Sequence, residues 1–528
     1  MIQTTFRSWS ATRHLASASL EEQIRGWLAE VRRHGYTNRG GNGVSDHKMR
    51  MNSRSPWVVK LSLILCLTLL GCVTHRNHSG DRKLEIDRLF RAWHHPDTPG
   101  AAVVVIKDGT VVYQNGYGCA DLAHGIAITP ETVFDVASVS KQFTGLAVAM
   151  LIGQRRLSLH DDVRAHLPDL PRFDKPITIR HLLYHTSGLR DWSPTLALAG
   201  VGWSDPITID DIRRMLSRQR ELEFEPGATS LYSNTGYNLL AEVVAKVTGQ
   251  SFRSWTDENL FRPLGMRRTH FCDDPTEIIS NQAACYEPSG KSSYRRVVSQ
   301  LAAPGSSSLM TTAEDMAKWL TNLETAGVGG PVALQMMREP GKLNSGASFG
   351  YGFGLVLEKY HGLDSESHGG GWAGYKSAVL HIPARRFAVA VLSNDADLNA
   401  ERLAHDVADC VLGYSDSPVA AQAWSASSVS AAMEANHVSL QEYTGVFWSD
   451  ELQSAVHIEC IGGQLLMGHL LRERARMNRK QRDEFEVDGF PELNVKASIE
   501  FIRDQTLEIT GLKLSARRVH NVRFERVR

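Results

Sequence analysis

The pattern of hydrophobic and polar positions predicts strands at both ends of a central segment of the chain. Ala101–Gly118 contains two β-rich runs on either side of Asp108-Gly109, a dipeptide that favours a tight hairpin turn. Beyond Gly350 the β-rich runs return, and Pro383–Arg386 is typical of a turn between the last two. The strands predicted there are Gly352–Glu358, Trp372–Ile382 and Phe387–Leu392.

The stretch between these strands has apolar residues at helical spacing. Thr178 is placed to cap a helix that runs to Tyr184 and stops near Gly188. Strands at the two ends, joined by hairpins and separated by helices, predict an α+β fold in which an antiparallel sheet is flanked by helices. The other helices predicted there are Lys141–Ile152, Asn238–Val247 and Ala313–Leu323, and a closing helix is predicted after the last strand, over Glu401–Leu412.

The composition changes after residue 414, which suggests a second domain. Residues 415–437 are rich in Ala, Ser and Pro, as is typical of a linker. Residues 438–528 show short alternating segments separated by turn residues, which predict a small all-β domain, a barrel or a sandwich. We therefore expect one domain over 84–414 and another over 438–528.

Residues 51–71 have the pattern of a secretory signal peptide. A basic start precedes ten apolar residues, LSLILCLTLL, whereas a helix that crosses a bilayer needs about 20. The sequence LLGC that ends at Cys72 resembles the bacterial lipobox. We therefore expect export to the cell envelope or periplasm, a lipid anchor on Cys72 that binds the membrane, and a polar tether over 72–83. A signal without lipidation and a retained membrane anchor are the alternatives.

A signal peptide belongs at an N-terminus, yet 50 residues precede this one. Residues 1–50 are polar and of mixed charge, without clean periodicity. One hypothesis is that translation starts at Met49 or Met51, so that this segment is misassigned. The other is that it is a genuine, disordered extension.

Charge and cysteine content exclude some classes of partner. Lysine plus arginine and aspartate plus glutamate number 58 each, so no nucleic acid partner is expected. Of the seven cysteines, Cys272 and Cys285 are close enough in sequence to pair in an exported protein, and buried free thiols are an equal alternative. No spacing resembles a zinc site, so neither a metal nor a cofactor is expected.

The sequence Ser138-Val139-Ser140-Lys141 places a hydroxyl and an amine near one predicted helix end. Backbone N–H groups at a helix N-terminus favour developing negative charge. Residues three apart share a helix face, so a Lys141 made neutral by burial or by neighbouring cations can activate Ser138. A serine cap followed by an exposed lysine is the alternative interpretation.

A second motif, Tyr232-Ser233-Asn234, precedes another predicted helix. The Tyr232 hydroxyl can relay protons to a leaving group, and the Asn234 amide can hold both a lysine and a substrate carbonyl. A core tyrosine followed by a capping asparagine is the structural alternative.

A third motif, His368-Gly369-Gly370-Gly371, is expected to open the strand Trp372–Ile382. Glycines at a strand edge let a ligand backbone approach closely. A free N–H at Gly371 could join that of the nucleophile in an oxyanion hole. The alternative is a flexible loop with an exposed histidine.

Residues 84–414 closely resemble the class C β-lactamase-like serine hydrolases. The motifs that carry this resemblance are, in chain order, ASVSK, HTSGL, EPG…YSN…GY and HGGGWAGY. That family holds β-lactamases, D-Ala-D-Ala carboxypeptidases, D-aminopeptidases and esterases. The resemblance implies an α/β sandwich with an antiparallel sheet, an all-helical lobe, and an active site between them. Residues 438–528 resemble the lipocalin-like domain of some D-aminopeptidase-type members. Tyr-Ser-Asn and His-Gly-Gly stand where the penicillin-binding-protein pattern has Ser-Asp-Asn and Lys-Thr-Gly.

The resemblance implies a role for each motif residue. Ser138 would be the nucleophile, Lys141 its general base or the partner of that base, and Tyr232 a second proton carrier. Asn234 would orient the lysine and the substrate, and His368 would replace the usual lysine of the third motif. HTSGL is expected to be a structural marker rather than part of the chemistry.

The expected activity is hydrolysis of a D-amino-acid peptide, a small ester or a β-lactam through an acyl-enzyme at Ser138. A histidine with a reference pKa of about 6.5 is mostly neutral at pH 7. His368 would therefore give a substrate carboxylate less charge than a lysine, which favours a peptidase or esterase over an efficient β-lactamase. The alternative hypothesis is an inactive member that binds cell-wall peptide or acts as a scaffold.

Overall fold

The structure, a computed structural model, describes residues 83–290, 293–414, 439–469, 474–490 and 495–527. The predicted N-terminal extension 1–50, the signal peptide 51–71, Cys72, the tether up to residue 82 and the linker 415–437 lie outside these residues. Within the described ranges, none of the helices combines the length and the apolarity that a membrane crossing requires.

The first domain is built on a six-stranded sheet, here called the main sheet. Two of its strands are β1 (Ala101–Lys107) and β2 (Thr110–Tyr117), which form the predicted hairpin. The others are β3 (Val356–Tyr360), β4 (Leu363–Trp372), β5 (Tyr375–Ile382) and β6 (Phe387–Ser393). The spatial order is β3-β4-β5-β6-β1-β2, and all neighbours are antiparallel. The predicted antiparallel sheet with strands from both ends of the domain is confirmed.

Strand β1 is a continuous apolar run because both of its faces are covered. Val104 packs into the core of the central helices, whereas Val103 and Val105 pack on the opposite side, beneath the helix Ala400–Leu412. Successive side chains of a strand point to opposite faces, so a strand between two helical layers needs apolar residues at every position. Each buried valine contributes about 1.5–3 kcal/mol.

Most of the helices lie between the two sets of strands, as predicted, and Ala400–Leu412 follows the last strand of the main sheet. Thr178 caps its helix by accepting from the His181 N–H, and Thr312 accepts from the Asp315 N–H. Besides residues 83–89, the helices are Lys141–Gly153, Val163–His166, Ile179–Leu183, Trp192–Leu198, Ile209–Ser217, Asn234–Thr248, Phe252–Thr256, Arg262–Leu264, Ala313–Thr325, Gly330–Met337 and Ala400–Leu412. Single turns of 3₁₀ or π-helix cover Arg91–Trp93, Ala137–Ser140, Asp257–Phe261, Pro383–Arg385 and Leu440–Tyr443.

Eleven short strands lie among these helices within the described residues, in four two-stranded sheets and one three-stranded sheet. They are Cys119–Asp121, Ile126–Ala127, Phe134–Asp135, Ile207–Thr208, His270–Phe271, Cys285–Pro288, Tyr294–Val297, Leu301–Ala302, Leu309–Thr311, Gly341–Lys342 and Ser348–Phe349. Cys272 and Cys285 are both buried free thiols, so the disulfide alternative is wrong. Each thiol instead donates to a backbone carbonyl, that of Asp274 and that of Val297 respectively, at 3.2 Å.

The second domain is a closed barrel of eight antiparallel strands, here called the barrel. Its interior is filled by alternating apolar side chains such as Phe447, Val456 and Leu512. Pairing of Phe447 with Arg526 closes it, so the prediction of a small all-β domain is confirmed as a barrel. Its strands are Gly445–Ser449, Ser454–Ile461, Gln464–His469, Ala475–Gln481, Glu484–Phe490, Val495–Arg503, Ile509–Ala516 and Val519–Arg526.

The position predicted for the His-Gly-Gly-Gly motif was wrong. These residues end strand β4 instead of opening the next strand, and the chain turns into β5 at Ala373-Gly374. The run LDSESHGGG has no apolar alternation, so its strand character comes from pairing with β3 and β5 rather than from its own pattern.

Candidate active site

The proposed nucleophile lies on a strained turn. Ser138 belongs to the single 3₁₀ turn Ala137–Ser140, which runs directly into the helix Lys141–Gly153, here called the nucleophile helix. Ala137 has a φ of 46°, in the left-handed region that residues with a side chain rarely adopt. Its N–H donates to a buried carboxylate oxygen of Asp135 at 2.8 Å, and burial raises the pKa of Asp135 to about 7. The turn is thereby anchored in the core.

The ammonium group of Lys141 has three partners. Its Nζ lies 3.0 Å from Ser138 Oγ, 2.8 Å from Asn234 Oδ1 and 2.8 Å from the Ser306 carbonyl oxygen. The two carbonyl oxygens can only accept, so each takes one N–H of the lysine. The third position faces the serine hydroxyl, and in the neutral amine this position is the lone pair. The geometry therefore suits transfer of the hydroxyl proton to the lysine.

Electrostatics favour that neutral amine. Lys141 is fully buried, and burial lowers its pKa well below the usual value. The Asp191 carboxylate opposes this by raising the pKa, and the Arg518 guanidinium lowers it further. Lys141 is thus placed where a lysine loses its proton more easily than in water.

Tyr232 lies against both the nucleophile and the base. Lys141 Nζ is 4.8 Å from the centroid of its ring. Burial raises the pKa of the Tyr232 phenol, while a hydrogen bond with Ser138 acts in the opposite direction. The phenol is therefore protonated at neutral pH and can donate its proton to a departing group.

The HTSGL segment supports the tyrosine motif. The His185 ring lies 4.4 Å from the Tyr232 ring, and His185 Nδ1 accepts from the Ser233 N–H at 3.1 Å. The carbonyl of His185 accepts from the Leu231 N–H at 2.9 Å. Contacts on both sides of residue 232 fix the position of the phenol, as the expected structural role requires.

Asn234 is oriented by a residue that sequence reasoning missed. The Asn234 amide Nδ2 donates to the two carboxylate oxygens of Asp191 at 3.1 and 3.3 Å, which turns Oδ1 towards Lys141. Asp191 is 1 % exposed. Its place just before a helix is typical of a cap, so its sequence context did not single it out. The Ser306 carbonyl was also missed, because backbone acceptors carry no residue signature.

The third motif presents a neutral histidine. His368 Nδ1 lies 2.7 Å from the Gly369 carbonyl, which can only accept, so this nitrogen carries the proton. His368 Nε2 lies 3.1 Å from the Tyr351 hydroxyl and accepts a hydrogen bond from it. Burial, reinforced by the nearby Lys141, lowers the pKa of His368 to about 3. The motif therefore contributes shape and a hydrogen-bonding site rather than positive charge.

The glycines of this motif let β4 approach the nucleophile turn. A Cβ on Gly370 would lie 2.3 Å from the Val136 carbonyl oxygen and 3.2 Å from the Ser138 nitrogen. Strand β3 pairs with β4 only as far as Ser367, so the outer edge of residues 368–371 is unpaired among the described strands. The unpaired edge leaves room for a substrate beside Gly371, whose role in an oxyanion hole stays a prediction.

These groups border one open cavity of about 520 Å³. Ser138, Tyr232 and His368 lie on its wall with the exposed Glu401, and the barrel adds Arg518. Arg518 was also missed, because its sequence position is remote from every motif. In the part of the chain that the structure describes, His, Cys, Asp and Glu side chains form no group of three suited to a metal ion.

Comparison with known proteins assigns the family. Residues 86–410, more than half of the chain, match the model of the Beta-lactamase family. The chain therefore belongs to the Beta-lactamase family, as the motifs predicted, and this membership indicates a serine hydrolase.

Two relatives and one solved structure resemble the chain further. D-aminopeptidase of Gluconobacter oxydans is 30% identical over 298 residues, which are 56% of each chain. D-aminopeptidase of Brucella canis is 28% identical over 326 residues, 62% of each chain, so the matches span less than two thirds of these relatives. The octameric penicillin-binding protein homologue from Pyrococcus abyssi has a TM-score of 0.56 at 21% identity. That structural match covers 84% of this chain and 99% of the homologue, and it confirms the fold.

Proposed function

We propose that the protein hydrolyses amide bonds of D-amino-acid peptides through an acyl-enzyme on Ser138. The observation that carries the proposal is the buried Lys141, two of whose three positions are taken by fixed carbonyl acceptors while the third faces Ser138 Oγ at 3.0 Å. A serine hydroxyl needs such a base before it can attack a carbonyl carbon.

The reaction follows from these contacts. Lys141 takes the Ser138 proton as Oγ bonds to the substrate carbonyl carbon, and the carbonyl oxygen becomes an oxyanion beside the nucleophile turn. The carbon–nitrogen bond then breaks, and the Tyr232 phenol protonates the departing amine and regains a proton from the lysine. Water attacks the resulting ester with the same base, releases the acid and restores the serine hydroxyl.

Two observations support a D-amino-acid peptide as substrate. The relatives named above are D-aminopeptidases. In addition, His368 is held neutral by its low pKa, so it offers no fixed positive charge to the carboxylate of a β-lactam. Peptidase or esterase activity is therefore favoured over efficient β-lactam hydrolysis.

We also propose that the enzyme acts in the cell envelope, anchored by lipid on Cys72. The basic start, the ten-residue apolar run and the lipobox-like sequence of residues 51–72 support this. Metabolic labelling with a fatty acid, compared between the natural chain and Cys72→Ser, tests it. Equal labelling of the two chains would rule out that anchor.

The activity is tested with a fluorophosphonate probe and a panel of D-amino-acid anilides, nitrophenyl esters and nitrocefin. The natural chain is expected to be labelled on Ser138 and to favour the D-anilides, whereas Ser138→Ala loses both labelling and turnover. Ser140→Ala is the matched control, because it removes a buried hydroxyl from the same turn. Absence of labelling on Ser138 at every pH would favour the inactive, peptide-binding alternative.

A further inference from the structure

The barrel places a cation inside the catalytic cavity. Arg518 lies in the two-residue connection between the last two barrel strands, where Ala516 pairs with Val519. Its Nε donates to Asp191 Oδ2 at 2.9 Å, and its Nη2 bonds to the same oxygen. The guanidinium carbon is 5.2 Å from the centroid of the Tyr232 ring. A side chain of the second domain thus borders the proposed reaction site of the first.

Arg518 is the last member of a continuous chain of polar contacts that starts at the base. Lys141 donates to Asn234, Asn234 donates to Asp191, and Asp191 accepts from Arg518. A carboxylate as buried as Asp191 requires a compensating charge. Arg518 supplies such a charge, because its guanidinium forms an ion pair with the Asp191 carboxylate.

A second set of contacts fixes the hairpin that carries the arginine. The His520 N–H donates to both carboxylate oxygens of Glu223 at 3.1 Å. Arg190, adjacent to Asp191, donates to the His520 carbonyl at 2.6 Å and to Glu451 of the barrel at 2.5 Å. Docking of the barrel therefore determines where the guanidinium lies.

We propose that Arg518 is a positioning residue of the catalytic site. By neutralising Asp191, it keeps the Asn234 amide oriented and leaves Lys141 free to act as the base, so the site is complete only with the barrel docked. The inference rests on the proposed function, because it assigns a purpose to the same lysine.

The charges around Lys141 make the proposal testable by pH. The groups that face Lys141 are Asp191, Arg518, Tyr232, Tyr237, His185 and His368. Both histidines have a lowered pKa and both tyrosines a raised one, so all four are neutral near pH 7. The balance is therefore between Asp191, which raises the pKa of Lys141, and Arg518, which lowers it. Loss of the arginine charge should make the base harder to deprotonate.

The experiment compares Arg518→Gln and Arg518→Lys with the natural chain. It measures the pH dependence of the rate of fluorophosphonate labelling on Ser138 and of kcat/KM for a D-amino-acid anilide. In Arg518→Gln, the acidic limb of both pH profiles is expected to move to higher pH by about one unit. At a pH on that limb the rate then falls about tenfold, whereas the rate on the alkaline plateau is retained. Arg518→Lys keeps the charge and is expected to keep the limb. Glu451→Gln is the matched control, since it weakens the same interface without touching Asp191.

A limb that moves no further in Arg518→Gln than in Glu451→Gln, or a uniform loss at every pH, would overturn the role of Arg518. If Arg518→Gln does not fold, Asp191→Asn compared with Asp191→Asn/Arg518→Gln measures the same charge without leaving a buried carboxylate unpaired. The acidic limb of the double variant is then expected to lie at a higher pH than that of Asp191→Asn, and acidic limbs at the same pH would overturn the proposal. Absence of Ser138 labelling in the natural chain contradicts the proposed function instead, so the two failures are distinct.

Discussion

The carboxylate of Asp191 determines which end of the Asn234 amide faces the base. Asn234 Nδ2 lies 3.1 and 3.3 Å from the two Asp191 oxygens, and the Asn234 N–H also donates to Asp191 at 3.1 Å. A carboxylate can only accept, so Oδ1 must point away from it, to Lys141 Nζ at 2.8 Å.

Replacing Asn234 by Asp would set two carboxylates against each other beside the lysine. Like charges disfavour ionisation of both, and any retained charge raises the pKa of Lys141. We expect kcat/KM at pH 7 to fall about 100-fold, with partial recovery at higher pH. Asn399→Asp, the same change at the cap of the helix Ala400–Leu412, is the control and should leave the pH profile in place. A pH-independent loss in Asn234→Asp would contradict the expected effect on the base.

Lys141→Arg tests the need for a neutral base. An arginine stays protonated at any pH the protein tolerates, so it cannot accept the Ser138 proton. We expect a loss of about 10³-fold in the rate of Ser138 acylation, measured by probe labelling. In the natural chain, the lowered pKa of Lys141 means that activity rises as the pH rises through that value. Lys318→Arg is the control, because Lys318 forms an ion pair with Asp315 within another helix. Comparable rates of acylation in the two variants would exclude Lys141 as the base.

His368→Gln is expected to make the fold less sensitive to acid. The pKa of His368 is about 3 in the folded chain and about 6.5 in an unfolded one, so the unfolded chain binds the extra proton between these values. Stability contributed by this site is therefore complete above pH 6.5 and declines as the pH falls towards 3. Between pH 7 and 5 the natural chain should lose about 2 kcal/mol more unfolding free energy than the variant. Urea titrations at the two pH values measure this, and equal losses would disprove it.

Gly370→Ala should distort the nucleophile turn. The added methyl would meet the Val136 carbonyl at 2.3 Å and Ser377 Oγ at 2.2 Å, so strand β4 and the turn must separate. We expect at least a tenfold loss of Ser138 labelling and a destabilisation of about 1–3 kcal/mol, as overpacked sites show. Gly371→Ala is the comparison for stability, because its nearest contact is Lys376 Nζ at 3.5 Å. A larger fall in Tm for Gly371→Ala would contradict this ranking.

Arg190→Met should weaken the attachment of the barrel. Arg190 is 5 % exposed and pairs with Glu223 and Glu451, so its loss removes the guanidinium from two carboxylates that are mostly buried. Breaking such a buried pair costs about 3–5 kcal/mol, whereas exposed pairs contribute about 0–1 kcal/mol. Arg213→Met, which removes a 40 % exposed side chain paired with Asp169 and Glu242, is the matched control. Urea unfolding should separate the two variants, and similar stabilities would refute the structural role of Arg190.

Much of the fold was predictable because its elements are local. The hairpin at Asp108-Gly109 depends on two residues that adopt positive φ, and β1 shows its burial as an unbroken apolar run. The nucleophile helix was predicted one residue short, as Lys141–Ile152 against Lys141–Gly153. Strand β4 was not predicted, and its glycines were assigned to the start of the next strand, because a strand of serine, glutamate and glycine forms only through its two paired neighbours.

The amino-acid sequence by itself determined the order of elements, the family and the pairing of Ser138 with Lys141, because residues three apart in one helical turn meet whatever the rest of the chain does. Tertiary structure alone decided which groups surround the lysine beyond the predicted Tyr232 and Asn234. Asp191, the Ser306 carbonyl and Arg518 come from three distant stretches, one of them in the other domain. Contacts of that kind depend on how whole elements pack, and no local pattern of residues encodes them.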